Sequence, residues 1–141
     1  MMPPVIVDTN IVVAGLLTGN DESPVARILD GMLSALFPFV ISEALLAEYH
    51  TVLMRPVLRK MHGLTNKEID VLLTELAAPA IVLEPVVTGN APDPGDQHLW
   101  ELLAARDDIV LVTGDKRLLQ DSEKSERVIS AQQFITEYCR N

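Results

Sequence analysis

Apolar and polar positions fall in blocks along this chain, and the blocks predict strands alternating with helices. Val5, Ile6 and Val7 form an unbroken β-branched run that stops at Asp8-Thr9-Asn10, the pattern of a strand covered on both faces. Ile11 to Leu17 resumes as a short helix weakened by Gly15, and Gly19-Asn20-Asp21 ends it as a loop. Ser23 suits an N-cap and Pro24 a first helical position, ahead of an apolar face of Val25, Leu29, Met32, Leu33 and Leu36. Phe37 to Ile41 reads as a second strand, and Ser42 caps a helix whose stripe is Leu45, Leu46, Tyr49, Val52 and Leu53. Arg55-Pro56 interrupts that helix, because proline lacks a backbone donor and disfavours helical backbone at the preceding residue.

A short helix through Arg59 and Lys60 then ends at Gly63, and Thr65 with Glu68 matches a capping box ahead of Ile69, Leu72, Leu73 and Leu76. After Pro79, Ala80 to Leu83 is a third strand, and Glu84 to Gly95 is a loop rich in Pro, Gly and polar residues. The helix after Asp96 turns Leu99, Leu102 and Leu103 inward. Ile109 to Val112 is a fourth strand running through Thr113-Gly114 into Asp115, and Leu118-Leu119 belong to a short turn or helix. Arg127 to Ile129 is a fifth strand, and Ser130 with Gln133 opens a closing helix.

Such alternation implies right-handed βαβ units, hence an α/β fold: a three-layer α/β/α sandwich around a parallel sheet of about five strands. With 141 residues and no repeat or linker, one domain spanning 1–141 is expected. No apolar run approaches the roughly 20 residues that span a bilayer and no signal peptide opens the chain, so the expected place is the cytoplasm, away from membranes. Cys139 is the only cysteine, which excludes an internal disulfide and a Cys-based metal cluster. Lys and Arg total 11 against 20 Asp and Glu, a formal charge of −9. That balance argues against gripping nucleic acid by bulk electrostatics, so a phosphate substrate needs local help such as bound metal ions.

The acids are where chemistry is expected. Asp8 stands at the end of a buried strand, where ligands collect in open α/β sheets, although taken alone capping of the next helix is the better explanation and yields only when further acids arrive at equivalent places. Asp115 repeats that placement, and Asp96 opens a helix. Glu43 sits in a first helical turn, which the helix dipole explains, whereas Glu48 lies one turn further and has no such explanation. If the strands ending at Asp8 and Asp115 are neighbours where strand order reverses, Asp8, Asp96 and Asp115 converge and Glu48 can reach them. Two carboxylates about 4 Å apart repel by up to roughly 4 kcal/mol near a protein surface, a cost that cations would offset. Hard oxygen ligands suit Mg²⁺ or Mn²⁺, and metal-assisted phosphodiester hydrolysis makes nuclease the natural reaction class.

Other residues carry weaker signals. His50 and His98 lack a second ligand at metal spacing and read as surface or partly buried side chains, and Trp100 reads as packing. Arg55, Arg59 and Lys60, and the pair Lys116-Arg117, are either solvated charge or phosphate contacts, with Lys116 the substrate-binding candidate. A haloacid-dehalogenase-like phosphatase would want Asp two residues after Asp8, and Asn10 stands there.

Asp8-Thr9-Asn10 after the first strand, Ser42 through Glu48, Asp96 at a helix start and Val112-Thr113-Gly114-Asp115 together resemble the PIN domain over nearly the whole chain. SEALLAEYHTVLMRP and LVTGDKRLL are similar to stretches of the PIN-family toxin components related to VapC toxins. The resemblance implies a metal-dependent single-strand endoribonuclease, the toxin of a toxin-antitoxin pair. It implies that Asp8, Glu48, Asp96 and Asp115 are catalytic ligands of Mg²⁺ or Mn²⁺, with Asn10 and Thr113 as supporting, substrate-side polar groups. The family often places an additional acid near Asp93, whereas Gly95 stands where a neighbouring acid is common. A homodimer and a cognate antitoxin protein are implied as well. The alternative is a PIN-like fold that has lost catalysis and binds RNA or protein.

Overall fold

The computed structural model describes residues 2–86, 89, 91, 94–120 and 126–139. In chain order the elements are β1 (Val5–Val7), α1 (Thr9–Leu17), α2 (Pro24–Leu33), β2 (Val40–Ile41), α3 (Glu43–Leu53), α4 (Pro56–His62), α5 (Asn66–Ala77), β3 (Ile81–Val82), α6 (Gln97–Leu103), β4 (Val110–Val112), α7 (Lys116–Leu119), β5 (Val128–Ile129) and α8 (Ala131–Tyr138). One turn of 3₁₀ helix, Pro94–Asp96, leads into α6. No helix among the described residues is long and apolar enough to cross a membrane.

The fold is α/β, with a parallel sheet flanked by helices. β1 pairs with β4 in the register Val5 to Val110 and Val7 to Val112, and β4 pairs with β5. The expectation of one sheet of about five strands is corrected: three strands form one sheet in the order β1-β4-β5, and β2 with β3 form a separate parallel pair. A single parallel bridge, Val5 to Phe39, joins the two, with Val5 N donating to Pro38 O at 3.1 Å.

The gap has a local cause. On its β4 side, β1 uses Pro4 O and Asp8 N, so Val5 and Val7 present their polar groups to β2. Val7 O receives the hydroxyl of the buried Tyr49 from α3 instead of a strand N–H. The ladder therefore opens on the β2 side of β1, whereas strand order reverses on its other side, between β1 and β4.

Local capping follows the residues closely. Ser23, Ser42 and Ser130 each accept a backbone N–H three residues on, and Thr65 and Glu68 make both bonds of the capping box. Gln133 gives its backbone N–H to the Ser130 cap but turns its side chain to Glu137, so no capping box closes there. Gly63 ends α4 at φ 69°, a left-handed conformation that glycine adopts without penalty. The expected face of α2 stops short, because the helix ends at Leu33 and Ala35 turns the chain at φ 55°. Leu36 is consequently 73% exposed instead of buried.

The core runs from β1 and β4 outward through Ile28, Met32, Leu45, Tyr49, Leu53, Ile69, Leu76, Leu99, Trp100, Leu103 and Phe134. Gly15, a poor helix former, is there for close approach: a Cβ at that position would lie 2.6 Å from the backbone oxygen of Val25 on α2. Gly15→Ala is expected to lower stability by about 1–3 kcal/mol through forced separation of α1 and α2. A urea midpoint equal to that of the wild type would refute the close approach.

Candidate active site

The carboxyl ends of β1 and β4 open onto a cleft of about 870 Å³, lined among others by Asp8, Asn10, Glu48, Asp96, Asp115 and Arg117. Asp8 follows β1 and is the N-cap of α1, its Oδ1 accepting Thr9 N at 2.8 Å. Capping is thus real, but it uses one oxygen. Oδ2 accepts the Thr113 hydroxyl at 2.7 Å and the Asn10 amide at 3.4 Å. Asp8 is only 5% exposed, and burial pushes its carboxyl above the usual range; Glu48 pushes the same way, while the Thr113 and Thr9 bonds and His98 pull against it.

Glu48 reaches the cleft from the second turn of α3. Its Oε1 accepts the Thr9 hydroxyl at 2.6 Å, and its Oε2 faces His98 Nε2 at 2.5 Å. Asp96 lines the cleft from the 3₁₀ turn and makes no side-chain cap bond to α6, so capping does not account for it. Asp115 caps α7 through Arg117 N at 2.9 Å, and its Oδ2 receives Arg117 Nη2 at 3.2 Å. That guanidinium holds the Asp115 carboxyl below the ordinary range.

The supporting polar residues separate by role. Asn10 Oδ1 accepts Gly114 N at 3.1 Å, which ties the loop after β1 to the loop after β4. Thr113, expected on the substrate side, has no exposed surface. It is a relay instead: its hydroxyl donates to Asp8 and its oxygen accepts Asp115 N at 3.0 Å. Thr113→Val is expected to cost about 1–3 kcal/mol, since it strips a donor from Asp8 and an acceptor from a backbone N–H. An unchanged thermal midpoint would dismiss the relay. Lys116 does not line the cleft; Arg117 and Arg55 supply its cations. Asp93 lies outside the described residues.

His98 is the residue that sequence reasoning misses. The sequence offers it no second ligand at metal spacing, yet the fold carries it to Glu48 across 50 positions, with its Nδ1 buried and without a hydrogen-bond partner among the described residues. Its place two residues after Asp96, at a helix start, is the signal that could have found it. His50 is a surface side chain 3.5 Å from Asp70, and Trp100 packs in the core.

A family model described as PIN domain matches residues 4–117, which include all four acids. The chain belongs to the PIN-domain family. A search of the curated proteins finds no match. PIN domains are generally nucleases and generally use divalent metal ions. In this PIN domain the donor set fits such an ion in kind, since four carboxylates from four places in the chain line one cleft. Among the described residues no three of His, Cys, Asp or Glu stand close enough together to hold a metal. Asp8, Glu48 and Asp115 are instead turned onto Thr113, Thr9, His98 and Arg117, so ligation requires these protein donors to share or release them.

Proposed function

We propose that this PIN domain is a Mg²⁺- or Mn²⁺-dependent endoribonuclease of single-stranded RNA, acting as the toxin of a toxin-antitoxin pair. The observation that carries the reading is the convergence of Asp8, Glu48, Asp96 and Asp115 on one cleft. A stable fold alone gives no reason to line one cleft with four carboxylates at a strand-order reversal, where Glu48 adds to the cost of charging Asp8. These four acids would hold the metal. When bound, divalent ions supply an activated water and neutralise charge on the phosphodiester. The protein's own contribution is placement: Thr113 and Thr9 fix Asp8, Thr9 and His98 fix Glu48, and Asn10 ties the two strand-end loops together.

The deciding experiment incubates the purified chain with total RNA, with and without EDTA, and sequences the fragment ends against an Asp8→Asn control. Fragments that depend on metal and vanish with Asp8→Asn support the reading. Binding of RNA without cleavage would return the protein to the class of RNA-binding modules.

Metal binding is expected to show in stability, because a ligand that binds only the folded state raises it by about 2.7 kcal/mol at 100 times its Kd. The melting temperature should rise when millimolar Mg²⁺ or Mn²⁺ replaces EDTA, and this rise should disappear with Asp8→Asn combined with Asp96→Asn. An equal rise in the double variant would place the metal elsewhere. The reading also includes a homodimer and an antitoxin whose basic side chain covers the acidic cleft. Coexpression with the adjoining gene, followed by copurification, tests the partner, and a free, unaccompanied domain would count against the toxin role alone.

A further inference from the structure

Of the nine described Lys and Arg side chains, four are committed to the fold. Arg27 donates to Cys139 O at 3.0 Å, Arg106 pairs with Asp108, Arg117 with Asp115, and Arg127 holds the carbonyls of Leu103, Arg106 and Ile109. Arg55, Arg59 and Lys60, like Lys67 and Lys116, are not so committed, and of these five only Arg55 lines the cleft. Their side chains are exposed and have no hydrogen bond or ion pair with another described residue.

Arg59 and Lys60 have a structural explanation, since cations in the last turn of α4 favour its dipole. Arg55 has the opposite. It is the N-cap of α4, where a positive charge is unfavourable, and it makes no side-chain cap bond. Its backbone is held extended at φ −61° and ψ 135°, as Pro56 requires. What the position offers is a view of the acids: Glu48, Val52 and Arg55 line the cleft at intervals of four and three residues, one stripe along α3 and its end. Arg59 follows one turn along α4, its backbone N donating to Arg55 O at 2.9 Å.

We propose that Arg55, with Arg59 beside it, binds backbone phosphates of the single-stranded RNA flanking the scissile bond. The inference rests on the nuclease reading for the identity of the strand. RNA is favoured over an acidic protein segment because Arg55 shares its cleft with the acids proposed to cut, so a strand that reaches them passes this guanidinium. Arg55 is a positioning residue and leaves chemistry to the acids.

The test measures fluorescence anisotropy of a fluorescein-labelled, mixed-sequence single-stranded RNA with the full chain, over a range of salt. The Asp8→Asn background keeps the probe intact. Adding Arg55→Asn should weaken binding and lower the slope of log K against log salt by about 0.7 for each phosphate no longer neutralised. Adding Arg59→Gln should lower it again. The melting temperature should hold or rise with Arg55→Asn, because Asn is a better N-cap than Arg, and this separates a missing phosphate partner from a damaged fold. Lys67→Gln, an equal loss of charge on α5, should leave affinity and slope unchanged. An unaltered slope with Arg55→Asn, the same loss with Lys67→Gln, or no RNA binding by the parent protein each overturns the proposal. So does retained RNA binding accompanied by loss of an acidic copurifying protein, which would move Arg55 to a protein interface. If the wild type cleaves RNA while the slope is unchanged, this inference falls alone. If nothing cleaves but the slope drops, the nuclease reading falls and the phosphate contact stands.

Discussion

Asp8→Asn is expected to abolish RNA cleavage and to raise the melting temperature of the metal-free protein at neutral pH. The two halves have one cause. Asp8 is buried at the end of β1, and burial sets its folded pKa above the unfolded value, so ionised Asp8 opposes folding. With a raised pKa, its contribution to stability is complete below the unfolded carboxylate pKa and is lost as pH rises through the folded pKa. The amide removes the charge and keeps an oxygen for Thr9 N. Wild type minus variant is the quantity to follow, because Asp115, with its pKa lowered by Arg117, titrates with the opposite sign in both proteins. Calorimetry in EDTA should find the variant the more stable at neutral pH, the gap closing as pH falls into the carboxylate range. Cleavage should fall by roughly 10³-fold or more, as when a member of a concerted catalytic set is removed. A variant that melts lower than wild type in EDTA would mean that the lost Thr113 donor outweighs burial. Undiminished cleavage would remove Asp8 from the site.

Glu48→Gln is expected to cost roughly 10²- to 10³-fold in cleavage even at saturating Mn²⁺. Both Glu48 oxygens are in use, one accepting from Thr9 and the other facing His98. An amide offers one acceptor where the carboxylate offers two, so either the Thr9 hydroxyl or the His98 ring must turn from donor to acceptor to keep its bond, and the negative charge is gone in either case. Groups that share one transition state lose activity non-additively, so the Asp8→Asn, Glu48→Gln double variant should be little worse than Asp8→Asn. His98→Ala, which frees one oxygen and leaves the charge, should cost less than Glu48→Gln. Glu43→Gln, exposed in the first turn of the same helix, should stay active. Gel assays of initial rates decide it: Glu48→Gln matching wild type at saturating Mn²⁺ would show that Glu48 holds no essential ion, and summed losses in the double variant would deny a common unit.

Much of this molecule is legible because its signals are local. Capping by Ser23, Ser42, Thr65 and Ser130, the break at Arg55-Pro56 and the left-handed stop at Gly63 each depend on residues within about four positions, where backbone donors and φ preferences decide the outcome. The β-branched runs of β1 and β4, each followed by an acid, place Asp8 and Asp115 at strand ends, since a run apolar on both faces is stable only inside a covered sheet. Periodicity states which face is apolar and says nothing of what will cover it. Only the folded chain therefore turns Thr113 inward as a relay, sets Arg117 in the cleft in place of Lys116, and leaves Leu36 in solvent after the turn at Ala35. Tyr49 shows the same division: its burial follows from the helical stripe, but its hydroxyl bond to Val7 O, which parts β1 from β2, joins positions 42 residues apart. The sequence by itself determined the elements, their caps and the acids at the strand ends. Tertiary structure alone decided which donors hold those acids, because a hydrogen bond between distant side chains exists only once the backbone has closed the space between them.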